Sequence, residues 1–156
     1  MSKDDGEPQS LGVVLDFMRL LWAADHRLQA RSKRMLRELG VTSLQRMTVR
    51  LVGRFDAISA QELAALLHVD PSTLTGVLDK LVRAGAVRRT KDPADARRAQ
   101  ISLTPKGHTI DGLKKGTVED AVRRVLARST PREIEAASAI LRRISEELIL
   151  DDDKKR

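Results

Sequence analysis

The apolar period of this chain changes at Gly85, and that change limits the fold more than any other feature. Before it, Leu74, Val77, Leu78, Leu81 and Val82 recur at the three-and-four spacing of one helix face. After it, Ala99, Ile101 and Leu103 alternate with Arg98, Gln100 and Ser102. AVRRTK and RRAQISL flank the turn-forming DPADA, the pattern of a two-stranded ribbon with one apolar face. A helix must therefore run through a single glycine into a hairpin and share a core with it.

The remaining segments carry helix punctuation. Ser10 precedes a long periodic segment that contains Leu11, Val14, Leu15, Met18, Leu21, Trp22, Leu28, Met35 and Leu36 and stops at Gly40. Thr42 with Gln45, and Ser59 with Glu62, have the spacing of capping boxes and start a second and a third helix. Asp70-Pro71 places an N-cap and a first-turn proline ahead of the fourth, PSTLTGVLDKLVRA. Thr104-Pro105 starts a fifth, expected to reach about Arg128 with a bend or close contact at Gly112 and Gly116. Thr130-Pro131 with Glu133 launches a sixth, ending near Leu150. The expected fold is mainly α with a small β-hairpin: a compact middle at 41–104, and helices at 11–40 and 105–150 whose apolar faces have no obvious partner in it. Residues 1–10 are expected to be a disordered N-terminus and 151–156 a charged tail.

Composition narrows the function. The 156 residues carry a net charge of +7, which favours an anionic partner, nucleic acid or a membrane surface. No cysteine is present, which excludes disulfides, thiolate metal sites and thiol-based sensing. No signal peptide and no membrane-length apolar run is visible, so a cytoplasmic location without membrane insertion is expected. Two Phe, one Trp and no Tyr make a poor stacking platform for single strands, so a nucleic-acid partner would be duplex.

Once the fourth helix buries its apolar stripe, Ser72, Thr73, Thr75, Gly76, Lys80 and Arg83 face outward. Hydroxyls near a helix N-terminus suit phosphate oxygens and base edges, and the major groove admits one helix. Gly76 would let the backbone approach closely. By itself such a face is more often merely solvated. The ribbon shifts the balance: between Asp79 and Lys106 lie eight Lys or Arg and three Asp, which accounts for most of the surplus charge. A basic ribbon beside a hydroxyl-rich helix is the electrostatic footprint of duplex binding, and Arg at the ribbon tip suits a narrow minor groove.

TSLQRMTVRLV, ELAALLHVDPSTLTGVLDKLVRAGAVRR and DPADARRAQISLTPKG together resemble the MarR family of winged helix-turn-helix regulators. Asp95-x-Arg97, then Ile101-x-Leu103-Thr104 and Gly107, are the most diagnostic. The resemblance covers Leu11 to Leu150 in element order and residues 43–107 in motif detail. It implies a fourth helix that reads the major groove and a wing whose Arg97 enters the minor groove, with Asp95 orienting that arginine or a neighbouring one. It also implies a homodimer joined by the first, fifth and sixth helices, and repression relieved by a small ligand. Arg89 and Arg98 complete the expected DNA-binding set. Many relatives carry Arg where this chain has Gly76, which moves or weakens base readout there.

For an aromatic or anionic effector the candidates are Trp22, His26, Arg50 and Arg54, although packing or a solvated basic face is the plainer account of each. His26, His68 and His108 are scattered and no metal site or cofactor is expected. No nucleophile–base set, paired carboxylate or phosphate loop appears, so no catalytic residue is assigned and no enzyme is expected. The alternative is a winged helix used only for protein contacts, which would need an apolar or neutral recognition surface.

Overall fold

The computed structural model describes residues 11–55, 57–95 and 98–153, with side chains to residue 149. The expected disordered N-terminus, Ser10 and the last three residues lie outside the described residues. The chain divides into two compact units, one up to Val118 and one from Glu119 onward.

In the first unit, α1 (Val13–Leu39) starts from Gly12, which offers no side-chain cap, two residues later than the sequence suggests. It ends at Gly40, whose φ of +74° suits glycine alone without strain. The Ser32 hydroxyl accepts from the Ser43 N–H at 2.9 Å and ties α1 to α2 (Ser43–Arg54). Both predicted capping boxes form. Gln45 N–H donates to Thr42 Oγ1 at 3.2 Å, and Thr42 N–H donates back to Gln45 Oε1 at 2.9 Å. Ser59 and Glu62 do the same ahead of α3 (Ala60–Leu67).

α4 (Pro71–Arg83) sends Leu74, Leu78 and Leu81 into a core shared with Val49, Val52, Leu63, Ile101 and Leu103. Each buried leucine contributes roughly 1.5–3 kcal/mol. The helix closes in a Schellman arrangement: Ala86 N–H donates to the Leu81 carbonyl and Gly85 N–H to that of Val82, both at 2.9 Å. Gly85 takes φ +69°, and the chain enters the ribbon there.

The ribbon has a third strand that the sequence did not reveal. β1 (Ile58–Ser59) pairs antiparallel with β3 (Ala99–Leu103), which pairs antiparallel with β2 (Val87–Lys91), in the order β1-β3-β2. Two residues are too few to show alternation. Only the partner strand identifies them, through the register Ile58 to Ile101. Val87, Ile101 and Leu103 are buried, whereas Ala99, at the far end of the expected apolar face, is exposed.

The expected fifth helix is two. α5 (Pro105–Asp111) ends at Gly112, and α6 (Val118–Leu126) begins after Gly116, whose φ is +77°. The break is held by Arg46 of α2, which is 4% exposed. Its guanidinium donates to the carbonyls of Asp111 at 3.0 Å and Leu113 at 2.7 Å. These carbonyls would otherwise be left without helical partners at the end of α5. Between the two glycines Leu113 packs on the core, so the chain turns inward where a straight helix would continue past it.

The second unit holds most of α6 and α7 (Pro131–Asp153), which runs three residues beyond the expected end. The Thr130 N–H and hydroxyl both donate to Glu133 Oε2, at 2.7 and 2.8 Å, in the predicted box.

Candidate nucleic-acid interface

The outward face of α4 follows from its inward one. Asp70 accepts from the Ser72 N–H at 2.8 Å, as predicted for an N-cap, and also from the Ser72 hydroxyl. Thr75 Oγ1 donates to the Pro71 carbonyl at 2.9 Å. Both hydroxyls spend their proton within the helix, so toward a partner they offer lone pairs, which suit the amino groups of adenine or cytosine. Ser72, Thr73, Thr75, Gly76, Lys80 and Arg83 are all exposed. A Cβ at Gly76 would meet nothing within 4 Å. Its helix cost of about 1 kcal/mol relative to Ala therefore serves no packing need.

The ribbon stands beside this helix. Arg88 Nε donates to Ser102 Oγ at 3.0 Å, across a register pair. Arg89 instead reaches α4, with its guanidinium 2.9 Å from Asp79 Oδ1. Beyond the strands, Asp92 N–H donates to the Arg98 carbonyl and Arg98 N–H to that of Asp95, both at 2.9 Å, while Asp92 Oδ1 accepts from Ala94 N–H at 2.8 Å. Those bonds tie together the described residues on either side of the expected minor-groove arginine. Arg97 itself lies outside the described residues, and so does the expected bond to it from Asp95. Arg98 is exposed. The Glu62 carboxyl is held below the usual range by hydrogen bonds from Ser59, with the Arg98 charge adding to the effect. Glu133 is lowered in the same way by the Thr130 backbone and hydroxyl.

The diagnostic Thr104 and Gly107 are structural. Thr104 N–H donates to the Ala86 carbonyl at 3.1 Å, its hydroxyl reaches the Gly85 and Ala86 carbonyls, and it accepts from Gly107 N–H at 3.1 Å. A Cβ on Gly107 would overlap the Ala86 carbonyl oxygen. The wing's return strand is thereby locked to the residue that leaves α4.

The effector candidates are not gathered. Trp22 is 66% exposed, and the surface depression around it and His26 is lined by Leu11, Leu15, Met18, Arg19, Ala23 and Arg27, all on or beside α1. Arg50 is committed elsewhere, its guanidinium 2.8 Å from Asp111 Oδ1, and Arg54 is exposed on α2. Sequence reasoning missed the roles of Arg46 and of Asp79 as the partner of Arg89. Arg46 was legible in principle, because it lies three residues before Val49, which is buried on the same face of α2.

The family model described as MarR family matches residues 41–99, from the turn before α2 to the start of β3. HTH-type transcriptional regulator TtmR of Methylorubrum extorquens (strain PA1) is 30% identical over 125 residues, 73% of this chain and 63% of that protein. The chain thus spans less than two thirds of that relative's length. HTH-type transcriptional repressor Rv2887 of Mycobacterium tuberculosis (strain ATCC 25618 / H37Rv) is 34% identical over 95 residues, 61% of this chain and 68% of the repressor. Among solved structures, a mutant MarR from E. coli complexed with operator DNA superposes with a TM-score of 0.67 at 24% identity, over 84% of this chain and 94% of the other, a likeness of fold. The capped fourth helix, its glycine exit, the three-stranded wing and the Thr104–Gly107 lock coincide with a match to the repressor over two thirds of its length, and the chain belongs to the MarR family.

Proposed function

We propose that the chain is a sequence-specific, duplex-DNA-binding transcription regulator. It acts as a homodimer on an inverted-repeat operator and is a repressor released by a small aromatic or anionic ligand. One observation carries the reading: a hydroxyl-rich, exposed helix face and a basic ribbon project from one core, with charge concentrated between Lys80 and Lys106. Relatives named as transcriptional repressors and a neighbour bound to operator DNA support the same partner. Ser72, Thr73, Thr75 and Gly76 would meet base edges, Lys80, Arg83 and Arg98 phosphates, and Arg97 the minor groove, with Asp95 shaping the turn. Among the described residues no helix is long and apolar enough to cross a membrane, and a cytoplasmic site of action fits this reading.

The dimer reading rests on uncovered apolar side chains. Val13, Leu15 and Trp22 of α1 are 87%, 56% and 66% exposed, and Leu141, Leu148 and Ile149 of α7 also lie open. Two reading helices would then enter successive major grooves, with half-sites about 10 bp apart centre to centre. A ligand can release such a dimer only by binding better to a form mis-spaced for DNA, and Trp22 and His26 are the first positions to test for contact with it.

The test is a gel shift on inverted repeats from the DNA beside its own gene, across a salt series and with candidate aromatic acids. Affinity should fall with a log–log slope near −0.9 per phosphate contact. Arg97→Ala should weaken binding more than Lys114→Ala, an exposed control outside the wing. Equal losses would remove Arg97 from the interface, and salt-insensitive binding would favour a protein-contact module.

A further inference from the structure

Asp79 is an oddity on a surface built for an anionic partner. It sits on α4 next to Lys80 and about one turn after Gly76, where an unpaired carboxylate would repel phosphate. Its Oδ1 lies 2.9 Å from the Arg89 guanidinium, and both side chains are more than a third exposed. Strand geometry explains the pairing. Arg89 lies opposite Ile101, and Val87 opposite Leu103, so Arg89 shares the ribbon face that packs on the helices. Arg88 and Thr90 belong to the other face, where Arg88 meets Ser102. Arg89 therefore emerges from the helix-facing side directly beside α4.

We propose that Arg89 is a positioning residue: its bond to Asp79 sets the angle between the wing and the reading helix, and it supplies no phosphate contact. An exposed ion pair adds little to global stability, but it joins two elements whose relative placement decides whether both grooves are reached together. Arg89–Asp79 is thus a direct ion pair between the ribbon and α4.

The affinity arm of the test rests on the DNA-binding reading; a second arm does not. Arg89→Gln, Asp79→Asn and the exchanged pair Asp79→Arg with Arg89→Asp are compared with the unaltered chain on operator DNA over a salt series. Positioning predicts that each single change weakens binding about 1.5- to fivefold, the range open to an exposed pair. The two neutralising changes together should cost no more than one, the salt slope should hold, and the exchanged pair should recover affinity. The Asp79→Asn sign is the sharpest readout, because removing an anion from a phosphate-facing surface would otherwise tighten binding. Tighter binding by Asp79→Asn, or a slope shallower by about 0.9 per protomer in Arg89→Gln, overturns the proposal. In the DNA-free arm, amide hydrogen exchange over Val87–Lys91 should quicken in both single variants and return in the exchanged pair. Unchanged exchange overturns the proposal even where DNA binding itself is absent, an outcome that would instead refute the DNA reading.

Discussion

At the scale of single residues, the positions that matter most are those where one atom more or less changes a contact. Gly107 has no room for a Cβ, because the Ala86 carbonyl oxygen occupies the space and Leu103 closes it from the side. Gly107→Ala should therefore force the start of α5 away from the wing and cost about 1–3 kcal/mol, the range for overpacking a closed site, as read by urea unfolding. Gly76→Ala makes a useful contrast, since its Cβ meets nothing. The two glycines look alike in sequence and have opposite reasons for being there. That Gly107 was diagnostic was legible; that the Ala86 carbonyl is the cause was not, because the two are brought together only by the turn through the ribbon.

At the scale of elements, five helix starts were written locally, whereas the break between α5 and α6 was not. Capping at Thr42, Ser59, Asp70, Thr104 and Thr130 depends on side chains two or three residues from the backbone groups they satisfy. The end of α5 depends on Arg46, more than sixty residues earlier. Arg46→Met should retain the apolar volume of the stem but strip the Asp111 and Leu113 carbonyls of their donor and leave Asp111 with less opposing charge. A loss of about 3 kcal/mol in unfolding free energy is expected, the scale for breaking a buried charged contact. A loss under about 0.5 kcal/mol, the size of an ordinary surface change, would mean that the glycines alone break the helix. β1 shows the same limit, since a two-residue strand has no period of its own and exists because β3 has a free edge beside Ile58.

At the scale of the whole molecule, the exposed apolar side chains bear on assembly. In the first unit α1 buries only Met35 among its residues and leaves Val14, Leu15, Leu20 and Trp22 open to water. In the second, α7 leaves Leu141, Leu148 and Ile149 similarly open. A lone chain with that much uncovered apolar surface would associate. Sedimentation equilibrium should give the mass of two chains, and Leu15→Glu with Trp22→Glu should shift it toward one and weaken operator binding with it. An unchanged mass in the double variant would take this face of α1 out of the interface. Such coupling of assembly to DNA affinity is what a regulator with two half-sites requires, because each protomer alone engages only one.

The sequence by itself determined most helix starts, the fourth helix and its exposed residues, the ribbon, and the concentration of positive charge around them. Each of those is carried by neighbours in the chain: a cap and its backbone, a period of three to four or of two, a run of like charges. Tertiary structure alone decided that Arg46 is buried, that the bend expected at Gly112 and Gly116 is a full break between α5 and α6, that the wing has a third strand, and that Arg89 faces Asp79. Those facts depend on which distant surfaces meet. A guanidinium reads as a surface charge until a particular pair of carbonyls, or one carboxylate, is folded against it.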